Sequence, residues 1–218
     1  MKRRKFLAGT LIAALGGLLA SCRGTDRTTP EPSPTPAAGS GPEAGFSAAL
    51  ADMRQMPRDL VRQLLDQKAK EYMERSHHCA QSSFLALRDQ FGLSSGPLAK
   101  AITTLPGVAE RGETCGAVTG PLLILGLIYG RDENHLDDWE SYQKSLVPAG
   151  AFCTAFEKEF GTTLCHRIQE GAFGRCYHLT EAEELAQFQR DGATEGCTRV
   201  VQRAVNLAAD VILADPDL

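Results

Sequence analysis

The chain has 218 residues, with 23 lysines and arginines against 27 aspartates and glutamates and a formal net charge of −4. Its length suits one domain with appendages. An acidic chain repels phosphate backbones, so nucleic acid is excluded as an expected partner.

Residues 1–21, MKRRKFLAGTLIAALGGLLAS, read as a segment outside the fold. Lys2, Arg3, Arg4 and Lys5 form a basic head, and residues 6–20 form an apolar run. That run is shorter than the roughly 20 residues needed to span a bilayer. It suits a signal-peptide core, with the small residues Ala20 and Ser21 before the cut. Arg3-Arg4-Lys5-Phe6-Leu7 resembles a twin-arginine export signal, and Leu19-Ala20-Ser21-Cys22 resembles a bacterial lipobox. The first resemblance implies export after folding. The second implies that Cys22 is acylated and becomes the new N-terminus. The expected location is therefore the outer face of a bacterial membrane, held there by lipid. Without the signal, 19 basic residues face 27 acidic ones, a charge of −8.

Residues 23–45, RGTDRTTPEPSPTPAAGSGPEAG, are almost wholly proline, threonine, serine, glycine and alanine, a composition that buries no core. The predicted division is a signal peptide at 1–21, a lipid-anchored disordered linker at 22–45 and a folded domain at 46–218. That domain reads as an all-α, compact multi-helix bundle.

Pro57 opens a helix in which Leu60, Val61, Leu64, Leu65, Tyr72 and Met73 recur at helical spacing. A second segment runs over 76–91, stopped by Gly92. Residues 97–105 form a short helix. Residues 113–129 are apolar all round and read as the buried central helix, bent at Pro121. Residues 137–160 carry Trp139, Tyr142, Leu146, Phe152, Phe156 and Phe160, with a kink or break at Pro148. Thr180-Glu181-Ala182-Glu183 starts another helix, and residues 195–213 form the last.

Seven cysteines are present: Cys22, Cys79, Cys115, Cys153, Cys165, Cys176 and Cys197. No CxxC pair occurs, so ordinary zinc-site spacings are absent. Cys79, Cys115, Cys165 and Cys197 each follow a capping residue: Ser76, Thr114, Thr162 or Thr163, and Thr194. Each thiol is thus predicted in the first turn of a helix, where the helix field favours a thiolate. Gly116 and Gly120 give the central helix a bare face beside Cys115, so that another backbone or a bound group can come close; Cys115 is the expected strongest nucleophile and the two glycines are the expected cofactor-binding positions. Cys153 and Cys176 are expected to form a structural disulfide. His77, His78 and His166 flank the thiols and read as solvated helix-end residues, or else as ligands or proton donors.

The pieces Cys79-Ala80-Gln81-Ser82, Cys115-Gly116-Ala117-Val118-Thr119-Gly120, Leu125-Gly126-Leu127-Ile128-Tyr129-Gly130, Phe160-Gly161-Thr162-Thr163-Leu164-Cys165 and Cys197 occur in that order. In this the chain resembles a family named for the cysteine pattern C-GCAxxG-C-C. The resemblance covers most of residues 72–213. It implies a helical fold and a redox role for Cys79, Cys115, Cys165 and Cys197, and it gives a site more than a reaction. Many relatives carry a glycine-rich segment before the second cysteine, where this chain has residues 103–112, TTLPGVAERG.

Three uses of the four thiols stay open. They could serve thiol–disulfide exchange or electron transfer, which would make the protein a thiol–disulfide oxidoreductase with a redox partner. They could hold an iron–sulfur cluster or another thiolate-bound metal. They could form disulfides in a structural or solute-binding lipoprotein that serves a transporter.

Overall fold

The computed structural model describes residues 42–94 and 96–218. Arg3, Arg4, Cys22 and most of the expected linker lie outside the described residues. Among these residues nine α-helices occur: α1 (Pro42–Gln55), α2 (Arg58–Ser76), α3 (Cys79–Gln90), α4 (Leu98–Ala101), α5 (Gly116–Tyr129), α6 (Trp139–Phe160), α7 (Cys165–Phe173), α8 (Ala182–Arg190) and α9 (Ala193–Ala214). The domain is all-α, and its only β-type pairing among the described residues is one antiparallel bridge between Thr114 and Leu164. No described helix is long and apolar enough to cross a membrane.

The helix starts follow local chemistry. Pro57 caps α2, and Asp138 caps α6 by accepting the Ser141 N–H at 3.0 Å. α1 begins at Pro42, four residues inside the stretch read as linker. It docks on the end of α3, where a Cβ on Gly45 would stand 2.9 Å from the Gly92 carbonyl oxygen, and Phe46 meets Phe91. α6 runs unbroken through Pro148. Its second half buries Phe152 and Phe156, while Trp139, Leu146 and Val147 in its first half are exposed.

The core lies where α3, α5 and α9 pack together, with α2 and α6 on the outside. α5 carries little polar chemistry and is buried along Gly116, Ala117, Val118, Gly120, Pro121, Ile124 and Leu125. Contact between α3 and α5 depends on the two glycines. A Cβ on Gly116 would overlap the Cys79 sulfur and stand 2.6 Å from the Ala80 nitrogen. One on Gly120 would overlap the Ser83 hydroxyl and stand 2.5 Å from the Ala80 carbonyl oxygen. The glycines thus bring α3 into backbone contact with α5, so of the two expected neighbours, a backbone or a bound group, the one found beside them is a backbone. α2 is tied to α9 by polar bonds: Asn206 Nδ2 donates to Asp66 Oδ1 at 2.7 Å, and Gln202 Nε2 donates to the Asp66 carbonyl at 3.1 Å. Desolvation at this contact raises the Asp66 pKa.

α8 is set apart from the main core. With the loop before it, it forms a small cluster around Tyr177, Phe188 and Ala193, in which the Tyr177 and Phe188 rings meet edge-to-face at 5.3 Å.

Candidate functional site

The bridge between Thr114 and Leu164 organises the site. The Cys115 N–H donates to the Thr163 carbonyl at 2.8 Å, and the Cys165 N–H donates to the Glu113 carbonyl at 2.7 Å. The backbone turns into a helix directly after each of these bonds. Cys115 is therefore the N-cap of α5 and Cys165 the first residue of α7, held side by side. Cys79 is the first residue of α3. Cys197 reaches the same place from α9, and all four thiols line one cavity of about 150 Å³.

Helix starts differ from expectation in their details. His78 caps α3, its Nδ1 accepting the Gln81 N–H at 3.4 Å, while the Ser76 hydroxyl bonds back to the Tyr72 carbonyl. Thr114 is spent on the bridge, and Cys115 itself is the cap. Leu164 caps α7 without a side-chain bond, and Thr162 Oγ1 accepts the Leu164 N–H. α9 begins at Ala193 after Gly192 at φ +69°, so Cys197 lies in the second turn and Thr194 inside the helix. The favourable helix field at the first turn therefore acts on three of the four thiols and fades at the fourth.

The sulfurs are electrostatically unequal. The Cys115 thiol neighbours the sulfurs of Cys165 and Cys79. These sulfurs foremost, and then burial, hold its pKa well above the ordinary thiol range. Cys165 is lowered, foremost by Cys115. Gln169 supports the same ionisation, with Nε2 3.5 Å from the Cys165 sulfur, against burial and the charge of Glu110. Burial foremost, and then the charges of Cys79, Cys165 and Glu110, push Cys197 upward. Within this pair Cys165 is pushed toward the thiolate and Cys115, the expected nucleophile, away from it. A cap position alone does not make a thiolate when the proton is shared with a neighbouring sulfur.

Residues 106–113 complete the site. Gly107, Val108, Ala109 and Glu110 follow one another at φ +51°, +48°, +61° and +58°. This left-handed turn is closed by Glu110 N–H to Pro106 O at 2.8 Å and Arg111 N–H to Gly107 O at 3.0 Å. It is clamped to the start of α7, where the His166 backbone N–H and Nδ1 both meet the Gly112 carbonyl, at 3.0 and 2.6 Å. The turn carries Glu110 into the cavity. His166 is therefore a backbone anchor. His78 is another, its Nε2 2.9 Å from the Thr103 carbonyl and its pKa lowered by burial. His77 ends α2 in the left-handed region and lines the cavity rim.

Leu179, Leu185, Phe188 and Gln189 close the cavity from the side of α8. No group of three or more histidine, cysteine, aspartate or glutamate side chains among the described residues is placed to hold a metal ion. Cys153 and Cys176 are free thiols, as are the other four described cysteines. Cys153 packs on the main core from α6 with Glu157 as its charged neighbour, whereas Cys176 sits in the α7–α8 loop against the Tyr177 carbonyl and feels Cys165. The expected Cys153–Cys176 bridge is not formed.

Two site residues carried little sequence signal. Gln169 follows Cys165 by one helical turn, a spacing that could have been read. Glu110 could not, because only the folded turn aims it.

The family model described as "Putative redox-active protein (C_GCAxxG_C_C)" matches residues 77–211. No curated protein and no solved structure matches the chain. The matched span is more than half of the chain and includes Cys79, Cys115, Cys165 and Cys197 together with the left-handed turn. This chain belongs to the C_GCAxxG_C_C family.

Proposed function

We propose that this protein is a thiol–disulfide oxidoreductase, exported and held at the outer face of a bacterial membrane by lipid on Cys22. The observation that carries the reading is the pair of thiols at two helix starts that one backbone bridge holds side by side, with Cys165 pushed toward the thiolate and Cys115 away from it. In the first step the Cys165 thiolate attacks a disulfide of a partner protein or small molecule, forms a mixed disulfide and expels one partner thiolate. Cys115 then gives up its proton and attacks the Cys165 sulfur. An internal disulfide forms, and the second partner thiolate leaves. Two electrons pass from the protein dithiol to the partner disulfide. Thiols alone suffice for this chemistry, and the oxidising compartment supplies the disulfides.

A solute-binding role is less well supported at the thiol cavity, whose volume of about 150 Å³ is small beside the roughly 300–1,000 Å³ of typical ligand pockets.

The test is equilibration of the protein in glutathione buffers of graded redox ratio, followed by acid quench and peptide mapping. A Cys115–Cys165 disulfide is the expected product. Absence of any disulfide among Cys79, Cys115, Cys165 and Cys197 across the series would refute the reading. For the anchor, Cys22→Ser should release the exported protein from membranes. Changing Arg3 and Arg4 to Lys should block export if the twin-arginine route is used.

A further inference from the structure

The exchange reaction leaves a proton to be placed. In the resting site the Cys165 sulfur, held beside Cys115 by the backbone bridge, is the acceptor available to the Cys115 proton. Once Cys165 is bonded to a partner, that acceptor carries no charge, yet Cys115 must now lose its proton to attack. Its own environment opposes the loss, since burial and the neighbouring sulfurs disfavour its thiolate. Some other cavity group has to take the proton.

The titratable groups facing the cavity are few. α2 contributes His77, α3 Cys79, α5 Cys115, α7 Cys165 and α9 Cys197, while α8 offers Leu185, Phe188 and Gln189. Glu110 is the one carboxylate among them. Its placement is imposed from outside the side chain. Three successive non-glycine residues at positive φ each cost about 1–2 kcal/mol, and Val108 is β-branched. Such a turn persists only where its surroundings over-determine it. Here the surroundings are the start of α7: Glu113 O holds the Cys165 N–H, Gly112 O holds His166, and a Cβ on Gly107 would touch the Cys165 Cβ at 3.7 Å. The clamp that positions Cys165 thus also positions Glu110. Its carboxylate takes part in no hydrogen bond or ion pair with a described residue, and burial raises its pKa above the usual carboxylate range. Its charge acts on both Cys165 and Cys197.

We infer that Glu110 is the proton acceptor of the thiol cavity, taking the Cys115 proton as that thiol resolves a mixed disulfide on Cys165. The inference rests on the exchange reading above. Written out, Cys115–SH and the Glu110 carboxylate become a Cys115 thiolate and a carboxylic acid. The thiolate bonds to the Cys165 sulfur, and the bond from Cys165 to the partner sulfur breaks. The departing partner thiolate then receives the proton from Glu110, so the carboxylate is restored and no proton is left over. The raised pKa brings the acid closer to the range in which a carboxylate works as a general base near neutrality.

The experiment mixes reduced protein, with Cys153 and Cys176 replaced by Ser, with dithiobis-nitrobenzoate, an aromatic disulfide that releases a coloured thiolate. Wild-type sequence at the site should release one thiolate on attack by Cys165 and a second on resolution by Cys115. In Glu110→Gln the first release should keep its rate or quicken, because a charge opposing the thiolate is gone. The second should slow roughly 100-fold and lose the rise that follows ionisation of Glu110, keeping only the rise at higher pH that follows ionisation of Cys115 itself. Glu110→Asn should behave alike and is at ease at positive φ, so it carries the test if the Gln variant folds poorly. Resolution at the wild-type rate in either folded variant overturns the inference, as does a slowing of both releases with an unchanged pH profile. If the unmutated site releases one thiolate and never forms its internal disulfide, the exchange reading fails and the role of Glu110 falls with it.

Discussion

Gly116 of α5 lies so close to Cys79 of α3 that a Cβ on the glycine would overlap the cysteine sulfur. The crossing of two buried helices, and no loop, sets the distance between the first two thiols of the site.

Gly116→Ala and Gly120→Ala should each destabilise the fold by about 3 kcal/mol, because the clashing atoms belong to the α3 backbone and to a side chain locked in the core. Gly126→Ala, on the same helix, meets nothing within 4 Å and should stabilise by up to about 1 kcal/mol. Urea midpoints of the three variants at constant m-value check the contrast. Equal effects at the three positions would contradict the close approach.

Cys165 should be the first thiol modified when reduced protein meets iodoacetamide at pH 6. At that pH an ordinary thiol with pKa of about 8.5 is almost wholly protonated. Cys165→Ser should abolish the fast phase. Cys115→Ala should slow it several-fold by removing the donor that lowers Cys165. Mass mapping of partly alkylated protein identifies the site, and early label on Cys115 would reverse the assignment.

Folding raises the pKa of Cys197 and of Cys115. Each then contributes stability that is complete below the unfolded thiol pKa of about 8.5 and is lost as pH rises toward the folded value. In that window the unfolded chain has released protons that the folded chain keeps, so the slope of stability against pH is negative. Cys165 has the opposite sign, its contribution being present above the unfolded pKa and lost as pH falls through its lowered one. Replacing Cys197 by Ser should make the decline between pH 8.5 and 10 shallower by up to about 1.4 kcal/mol per pH unit. Denaturant titrations under reductant at three pH values measure it; parallel curves for the two proteins would count against a protonated, buried Cys197.

Val108→Gly should stabilise the protein by about 0.5–1 kcal/mol. It relieves roughly 1–2 kcal/mol of left-handed strain and costs part of that in backbone entropy, and the exposed Val108 side chain gives up little packing. Thermal melts suffice to see it. Destabilisation by more than about 1 kcal/mol would mean that the valine holds the turn in a way its exposure does not reveal.

The helices were legible because their apolar faces repeat: Val61, Leu65 and Met73 on α2, or Val200, Val201, Val205 and Ile212 on α9, are buried as their spacing requires. The meeting of Cys79, Cys115, Cys165 and Cys197 followed from the family pattern, and local spacing alone would not have given it. Their ranking was not legible. Whether a thiol at a helix start ionises depends on which neighbour holds the proton, and that neighbour, Cys165 for Cys115, lies far along the chain. The same holds for Glu110. It looks like an ordinary surface carboxylate in a polar loop until four residues at positive φ turn it inward. The bridge pairing Thr114 with Leu164 is a single residue pair with no alternation on either side, so no strand pattern announced it.

The site gathers its sulfurs from the starts of α3, α5 and α7 and from the second turn of α9, so it exists only after the chain has threaded nearly its whole length into place. Six cysteines can be joined in on the order of fifteen complete sets of three disulfides. A chain entering an oxidising compartment unfolded would sample wrong pairings before α9 could deliver Cys197. On the proposed twin-arginine route the order is reversed. Assembly happens among reduced thiols, and the first oxidant meets a fold in which Cys115 and Cys165 are already neighbours. The long separation of the four cysteines, a hazard for oxidative folding, then becomes a reason to fold before export.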